Sequence, residues 1–197
     1  LIFSIFIYGS TSINKNKALI DFIDKKDKVY IKVVSPNFVL KYNLSENEIE
    51  NKLKKLVKYS DPDPNKTTLF VWPEGVFTGY TFNEIFQFKD LIKDNFNQKH
   101  SILFGINTIN KNSNQYFNSL IVTNNKFEIL HQYNKIKLVP FGEFLPFENY
   151  LSKIGLKKIT EGYGSFARGK TQKNIIINKI NFLPLICYEI IFPELTQ

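Results

Sequence analysis

The spacing of apolar positions changes along the chain, and each change predicts a different element. Residues 28–40, KVYIKVVSPNFVL, are rich in β-branched residues and contain a Pro-Asn pair, which predicts a strand that runs into a loop. In residues 45–60 the apolar positions recur three and four apart, and Ser45 with Glu48 forms a capping-box pattern, so we predict a helix. The DPDPN segment at residues 61–65 is expected to end it. The apolar face of this helix consists of Ile49, Leu53, Leu56 and Val57.

A second strand is predicted in KTTLFVWPEG, residues 66–75, where a continuous apolar run is closed by a Pro-Glu-Gly turn. Such a run is typical of a strand that is buried on both faces. Glu74 is therefore expected at the end of a core strand. A helix is predicted in the segment that follows, around residues 82–96.

The second half of the chain is predicted to consist mainly of strands. Three strand-like runs are separated by Asn-rich turns: residues 101–109, 116–124 and 126–142. After a Gly-rich loop, residues 173–179 and 180–190 are expected to form a tight hairpin, which puts Cys187 at a strand end. The order of these elements predicts an α/β domain in which helices cover a central sheet.

The composition is typical of a globular domain and does not favour a nucleic-acid-binding protein. The chain has 197 residues, of which 43% are hydrophobic, and this is enough for one globular domain with a substantial core. It contains no methionine, so we expect it to be part of a longer protein. The formal net charge is +8, but the lysines are scattered among Asn and Ile and accompany no nucleic-acid-binding motif. We therefore do not expect nucleic acid as a partner.

The first residues, LIFSIFIYG, form an uncharged apolar run that is much shorter than the roughly 20 residues needed to span a bilayer as a helix. Two interpretations are open. The run is either a buried strand or the last turns of a membrane helix, with Asn14, Lys15 and Lys17 marking its exit into water.

Glu74 and Cys187 are the first candidates for chemistry, because an acid or a thiol at the end of a buried strand is rigidly placed yet open to a cleft. Each has an ordinary alternative: a solvated turn residue for Glu74, and a small core side chain for Cys187. The two histidines, His100 and His131, are far apart in sequence, and no Gly-rich phosphate motif is present. We therefore predict no metal and no organic cofactor.

Three stretches together resemble the nitrilase, or carbon-nitrogen hydrolase, superfamily: VWPEG, YNKIKLVPFGEFLPF and LICYEIIFPEL. Within it, the PFGEFLP segment and the CYE triplet look like the apolipoprotein N-acyltransferases. The resemblance covers about residues 30–195. It implies a nitrilase-like α-β-β-α sandwich over residues 28–197, with its C-terminal part missing from this chain. It also implies that residues 1–10 are the end of a transmembrane helix.

The resemblance assigns roles residue by residue. Glu74 matches the general base, Cys187 the nucleophile and Lys135, in the Tyr-x-Lys position, the catalytic lysine. Lys137 is the rival for the lysine role. Three further residues match supporting positions of the family: Glu143, Tyr188 and Glu189.

The implied activity is transfer of an acyl chain from a phospholipid to the N-terminal amine of an apolipoprotein, through a cysteine thioester. The implied location is the periplasmic side of the bacterial inner membrane. Two alternatives remain: a soluble nitrilase-type amidase, and a catalytically silent relative that serves as a lipid-binding module. Five phenylalanines near the motifs are expected either to pack in the core or to face an acyl chain: Phe77, Phe141, Phe144, Phe147 and Phe192.

Overall fold

A computed structural model describes residues 2–24, 28–147, 150 and 165–196. Its helices are α1 (Ile2–Asp24), α2 (Glu46–Ser60), α3 (Phe82–Ile85) and α4 (Lys89–Lys93). Its strands are β1 (Val29–Val33), β2 (Thr67–Val71), β3 (His100–Asn110), β4 (Gln115–Thr123), β5 (Ile129–Asn134), β6 (Ile175–Ile177) and β7 (Ile180–Phe182). Short 3-10 helices cover Phe86–Phe88, Cys187–Ile191 and Pro193–Leu195.

The strands form one five-stranded sheet and a separate hairpin. The order in the sheet is β1-β2-β3-β4-β5. The first three strands are parallel, with Val33 opposite Val71 and Val71 opposite Leu103, whereas β4 and β5 continue the sheet in antiparallel pairing. β6 pairs with β7 in the hairpin. The carboxyl ends of β1 and β2 therefore lie at one edge of the sheet, where Glu74 follows β2.

Each face of the sheet carries its own apolar core. On one face, Phe70, Phe104 and Ile121 belong to a buried cluster that includes the apolar side of α2. On the other face, Leu69 and Val122 form a second cluster, to which the hairpin contributes. Neighbouring residues of a strand point to opposite faces, so β2 is buried on both. The predicted layering of helices on a central sheet is confirmed.

Local signals in the sequence account for α2. The Ser45 side chain caps the helix, and the carboxylate of Glu48 accepts a hydrogen bond from the Ser45 backbone N–H at 2.9 Å. Four apolar residues of one face are buried, as their spacing predicted. The helix ends at Asp61, which has a left-handed φ of 40°.

Three predicted elements differ from the structure in extent. The predicted helix over residues 82–96 is split into α3, a 3-10 turn and α4. The run at residues 126–142 is a strand only to Asn134. The prediction that Cys187 ends a strand is wrong, because β7 stops at Phe182 and Cys187 begins a 3-10 helix. Pro184 has no N–H to donate to a ladder, which favours an early end to the strand.

The N-terminal apolar run is helical, so the alternative of a buried strand is wrong. A helix satisfies its own backbone hydrogen bonds, whereas a strand needs a partner. α1 continues past Asn14, Lys15 and Lys17 to Asp24. Among the described residues, no helix combines the length and the apolar character needed to cross a membrane. The assignment of residues 1–10 to the end of a transmembrane helix stays a prediction.

Candidate active site

A cavity of about 490 Å³ opens at the sheet edge where β2 ends. Segments that are distant in sequence contribute to its wall. They supply Leu40 and Tyr42 from the loop after β1, Glu74, Gly75 and residues 77–79 after β2, residues of β3 and β4, and Glu143, Phe166 and Cys187. Glu74, Glu143 and Cys187 thus border the same space.

Glu74 is held at this edge by the packing of the strand before it. Trp72, which is buried, donates from Nε1 to Ser60 Oγ at 2.9 Å and from its backbone N–H to the Leu103 carbonyl at 2.9 Å. Gly75 follows with a φ of 72°, a conformation that glycine adopts without strain. The chain therefore leaves the core in a fixed direction at Glu74.

The side chain of Glu74 lies against β3. Its Cγ atom is 3.7 Å from the position that a β-carbon would take on Gly105. The turn is fastened from the helix side as well, because Lys52 Nζ of α2 donates to the Val76 carbonyl at 3.0 Å. The carboxylate of Glu74 is thereby presented to the cavity from a rigid support.

Cys187 is the first residue of the 3-10 helix Cys187–Ile191 and is exposed. Its φ is 55°, which is uncommon for a residue that carries a β-carbon. Such a conformation costs about 1–3 kcal/mol and persists only where surrounding contacts impose it. The thiol is therefore placed by its surroundings and not by local preference.

Those contacts centre on the carboxylate of Glu189, which is fully buried. It accepts hydrogen bonds from the Tyr133 hydroxyl at 2.9 Å and from the backbone N–H groups of Ile136, Lys137 and Ile186 at 2.7, 2.9 and 2.9 Å. The four donors come from both the lysine segment and the cysteine segment. Glu189 therefore fixes these two segments relative to each other.

The two tyrosines near this carboxylate keep their protons at neutral pH. Burial raises the pKa of Tyr133, and the hydrogen bond to Glu189 raises it further. Burial also raises the pKa of Tyr188, with smaller contributions from Glu143 and Glu189. Tyr133 therefore remains a hydrogen-bond donor to Glu189.

Lys135 is buried, with 2% of its side chain exposed, and its Nζ lies 2.9 Å from Glu143 Oε1. Asn118 Nδ2 donates to the same oxygen at 2.8 Å, and the Val139 N–H donates to the other carboxylate oxygen at 2.9 Å. A buried ion pair needs such additional hydrogen bonds to offset the loss of hydration. Because Glu143 lines the cavity, the pair brings the lysine charge to its wall.

The two candidate lysines have different environments. Lys135 Nζ lies 5.1 Å from the centroid of the Tyr188 ring, next to the cysteine. Lys137 is one-third exposed and pairs with Glu194 at 2.7 Å. Its Nζ lies over the Phe192 ring, 5.0 Å from the centroid. The geometry associates Lys135, and not Lys137, with Glu143.

The five phenylalanines near the motifs do not share one environment. Of these, Phe77 lines the cavity and is nearly buried. Phe141 and Phe147 are 47% and 80% exposed, whereas Phe144 and Phe192 are partly buried. The structure therefore places one of them in the cavity wall.

Several residues of the wall were missed from the sequence. Asn118 and Asn107 lie inside strands with no motif to distinguish them from other Asn residues, and Gly105 resembles any glycine in a strand. Phe166 lies within the Gly-rich loop at residues 161–169, whose sequence predicts only a connection between elements. The alternation of β4 offers one usable signal. Asn118 lies on the same face of the strand as Leu120 and Val122, and a polar residue on an otherwise apolar face is a candidate for a site.

Residues 39–197 match the profile of the carbon-nitrogen hydrolase family. The chain belongs to this family. An apolipoprotein N-acyltransferase of Brucella suis biovar 1 is 28% identical over 196 residues, which cover 95% of this chain and 36% of that relative. An apolipoprotein N-acyltransferase of Rhodopseudomonas palustris is 29% identical over 186 residues, which cover 85% of this chain and 34% of that relative. The chain thus spans about a third of the length of these two relatives.

Solved structures support the same assignment at the level of the fold. A carbon-nitrogen hydrolase from Helicobacter pylori G27 superposes with a TM-score of 0.53 at 17% identity, over 85% of this chain and 54% of that chain. The glutamine-dependent NAD+ synthetase from Acinetobacter baumannii gives a TM-score of 0.51 at 16% identity, over 83% of this chain and 29% of that chain. The predicted nitrilase-like fold is confirmed.

Proposed function

We propose that this chain belongs to the catalytic domain of an apolipoprotein N-acyltransferase. The observation that carries the proposal is that Glu74, Glu143 and Cys187 line one cavity, with Lys135 paired to Glu143 at its wall. The names of the relatives that match most of this chain support the acyl-transfer activity. The acyl donor is a phospholipid, and the acceptor is the N-terminal amine of a diacylglyceryl-cysteine lipoprotein.

In the first half-reaction, Glu74 takes the proton of the Cys187 thiol, because the thiolate and not the thiol is the nucleophile. The sulfur attacks the carbonyl carbon of a phospholipid ester and forms a tetrahedral oxyanion. When the carbon–oxygen bond breaks, Glu74 returns the proton to the leaving oxygen. The products are a lysophospholipid and a thioester on Cys187.

Lys135 and the backbone N–H of Tyr188 stabilise the oxyanion. Loss of one such donor typically raises the barrier by about 3 kcal/mol. The ion pair with Glu143 supports this role, since it fixes the Lys135 ammonium group in a site that excludes most water.

In the second half-reaction, the lipoprotein amine attacks the thioester carbonyl, and Glu74 accepts a proton from the amine. Collapse forms the amide and releases the Cys187 thiolate, which recovers the proton. Donor and acceptor therefore react in turn, as in ping-pong kinetics.

The thioester must be protected from water if it is to be transferred to the amine. The apolar part of the cavity wall supports this requirement. It contains Leu40, Phe77, Ile106 and Phe166. We propose that these side chains surround the acyl group, and that the enzyme works at the periplasmic face of the bacterial inner membrane.

The test is intact-mass measurement of the complete protein after incubation with phospholipid. We expect one acyl mass in the wild type and none in Cys187→Ala. Absence of the adduct together with turnover of a small amide would favour the amidase alternative. Phospholipid binding without adduct or turnover would favour a silent lipid-binding module.

A further inference from the structure

The chain uses arginine once. Among its 26 basic residues, the single arginine is Arg168, and all others are lysine. Arginine differs from lysine in its planar, five-donor guanidinium group, which binds phosphate and carboxylate oxygens in pairs. In a chain that otherwise uses lysine for positive charge, this position is unusual.

The backbone around Arg168 is fixed on both sides by hydrogen bonds. These are Phe166 N–H to Glu143 O, Ala167 N–H to Tyr116 O and Gly169 N–H to Lys135 O, each at 2.8 Å. Gly169 is packed so closely that a β-carbon there would lie 1.9 Å from the Asn134 carbonyl oxygen. Arg168 is therefore presented from a rigid segment that is bonded to the lysine and Glu143 segments of the site.

The guanidinium group of Arg168 extends over the Phe144 ring. Its Cζ atom lies 5.1 Å from the centroid of Phe144. Ion pairs among the described residues involve lysines, and none of them includes Arg168. Its charge also opposes the rise in the pKa of Tyr188, which places it within electrostatic reach of the residue after the nucleophile. The side chain is exposed.

A second cavity of about 780 Å³ begins at Arg168. Its wall includes Arg168 and Lys170, and none of its lining residues is acidic. Four side-chain amides also line it: Asn110, Gln115, Gln132 and Asn134. Gln132 Nε2 already donates to Thr108 Oγ1 and Asn134 Oδ1, so the preference for an anion rests on the two cationic groups. Cationic groups in a cavity without a carboxylate suit an anion with several acceptor oxygens. We call this cavity the arginine groove.

Residues 166–169 contribute to the walls of both cavities. Phe166 lines the cavity that contains Cys187, and Arg168 lines the arginine groove. A phospholipid carries its phosphate only a few bonds from its ester carbonyls. A donor lipid with an ester at Cys187 can therefore place its phosphate beside this segment.

We propose that Arg168, assisted by Lys170, binds the phosphodiester group of the phospholipid acyl donor. The proposal rests on the proposed function, since it assigns a headgroup site to the same reaction. Arg168 then contributes to donor binding and leaves the chemistry at Cys187 unchanged.

The experiment compares two acyl donors on the complete enzyme in detergent micelles. One is a phospholipid, and the other is a p-nitrophenyl ester with the same acyl chain and no phosphate. The variants are Arg168→Gln, Arg168→Lys and the control Lys173→Gln, which removes an exposed charge outside the groove. The rate of Cys187 acylation is measured by mass spectrometry against donor concentration.

We expect Arg168→Gln to raise the KM for the phospholipid by about 10- to 100-fold, since hydrogen bonds between charged groups are lost. The KM for the nitrophenyl ester should stay within about twofold, and so should both values for Lys173→Gln. The KM of Arg168→Lys for the phospholipid should lie between those of the wild type and Arg168→Gln, because lysine keeps the charge and loses the paired hydrogen bonds of the guanidinium group. If Arg168→Gln changed the KM equally for both donors, or changed it for neither, the proposal would be overturned.

Calorimetric binding separates this proposal from the proposed function. If no donor acylates Cys187, the proposed function fails, and titration with glycerophosphoethanolamine still tests the site. Weaker binding to Arg168→Gln than to the wild type would support it, and equal or absent binding would overturn it. Binding of inorganic phosphate without binding of the diester would overturn the assignment to a lipid.

Discussion

Glu74 and Cys187 line the same cavity, but different interactions hold them. Glu74 follows a strand that is buried on both faces, and Trp72 at the end of that strand belongs to one of the two apolar clusters. Cys187 follows a short hairpin, and its turn is fixed by hydrogen bonds to the buried carboxylate of Glu189. The first arrangement is mainly apolar packing, to which α2 adds the hydrogen bond between Trp72 and Ser60, and the second is polar and joins distant segments.

This difference determines how each side should respond to substitution. Apolar packing involves many weak contacts, so the loss of one is partly absorbed by its neighbours. A buried carboxylate with four donors is different, because removing it leaves each donor without a partner. We therefore expect the cysteine side to be the more sensitive of the two.

The largest effect on stability is expected for Glu189→Ala. It leaves the Tyr133 hydroxyl and three backbone N–H groups without an acceptor, and the free energy of unfolding should fall by at least about 3 kcal/mol. Urea denaturation measures this. Glu194→Ala is the control, because that exposed pair with Lys137 should contribute only about 0–1 kcal/mol. Similar losses in both variants would contradict the central position of Glu189.

The next effect concerns the lysines and is measured as the rate of Cys187 acylation. Lys135→Ala should lower it about 100- to 1,000-fold, as expected for the loss of an oxyanion donor. Lys137→Ala should retain most of the rate, because Lys137 pairs with Glu194 and not with Glu143. The reverse order would transfer the oxyanion role to Lys137.

A smaller effect is expected on the Glu74 side. Trp72→Phe removes the indole N–H that donates to the buried Ser60 hydroxyl, and should lower the free energy of unfolding by about 1–3 kcal/mol. The double variant Trp72→Phe with Ser60→Ala should cost less than the sum of the single variants, since both partners of one bond are gone. Strict additivity in urea denaturation would show that this bond does not anchor the strand end.

The smallest effect is a pH dependence at the start of α2. The hydrogen bond from Lys41, followed by those from Ser45, lowers the pKa of Glu48 from 4.5 to about 2. The stabilisation from this lowered pKa is therefore complete above about pH 4.5 and is lost as the pH falls through about 2. The stability difference between wild type and Glu48→Gln, followed by urea denaturation, should shrink over that range. A difference that is constant down to pH 2 would rule out this contribution.

The sequence was informative where a signal is contained in a few neighbouring residues. The capping box at Ser45 and the apolar face of α2 were predicted with their bounds. The apolar run of β2 led directly to Glu74 at the edge of the sheet. The motifs also identified Glu74, Glu143 and Cys187, which the structure places in the cavity wall, although the catalytic roles stay predictions.

Contacts between residues that are distant in sequence could not be predicted from such local signals. The hydrogen bond between Tyr133 and Glu189 joins positions that are 56 residues apart, and no neighbouring residue of either one predicts it. The pair of Lys135 with Glu143 depends on a turn that brings the carboxylate back, and Asn118 joins from another strand. Pro184 was a local signal for the early end of β7, whereas the turn that begins at Cys187 depends on where Glu189 is buried.

The sequence by itself therefore determined the helix α2, the double-sided burial of β2 and the family to which the chain belongs. Spacing and short motifs are sufficient for these, because side-chain periodicity follows from the geometry of a single helix or strand. The tertiary structure decided which charges meet: Lys135 with Glu143, and Glu189 with its four donors. Burial of a charge is favourable only where its partners converge, and that convergence depends on the whole fold.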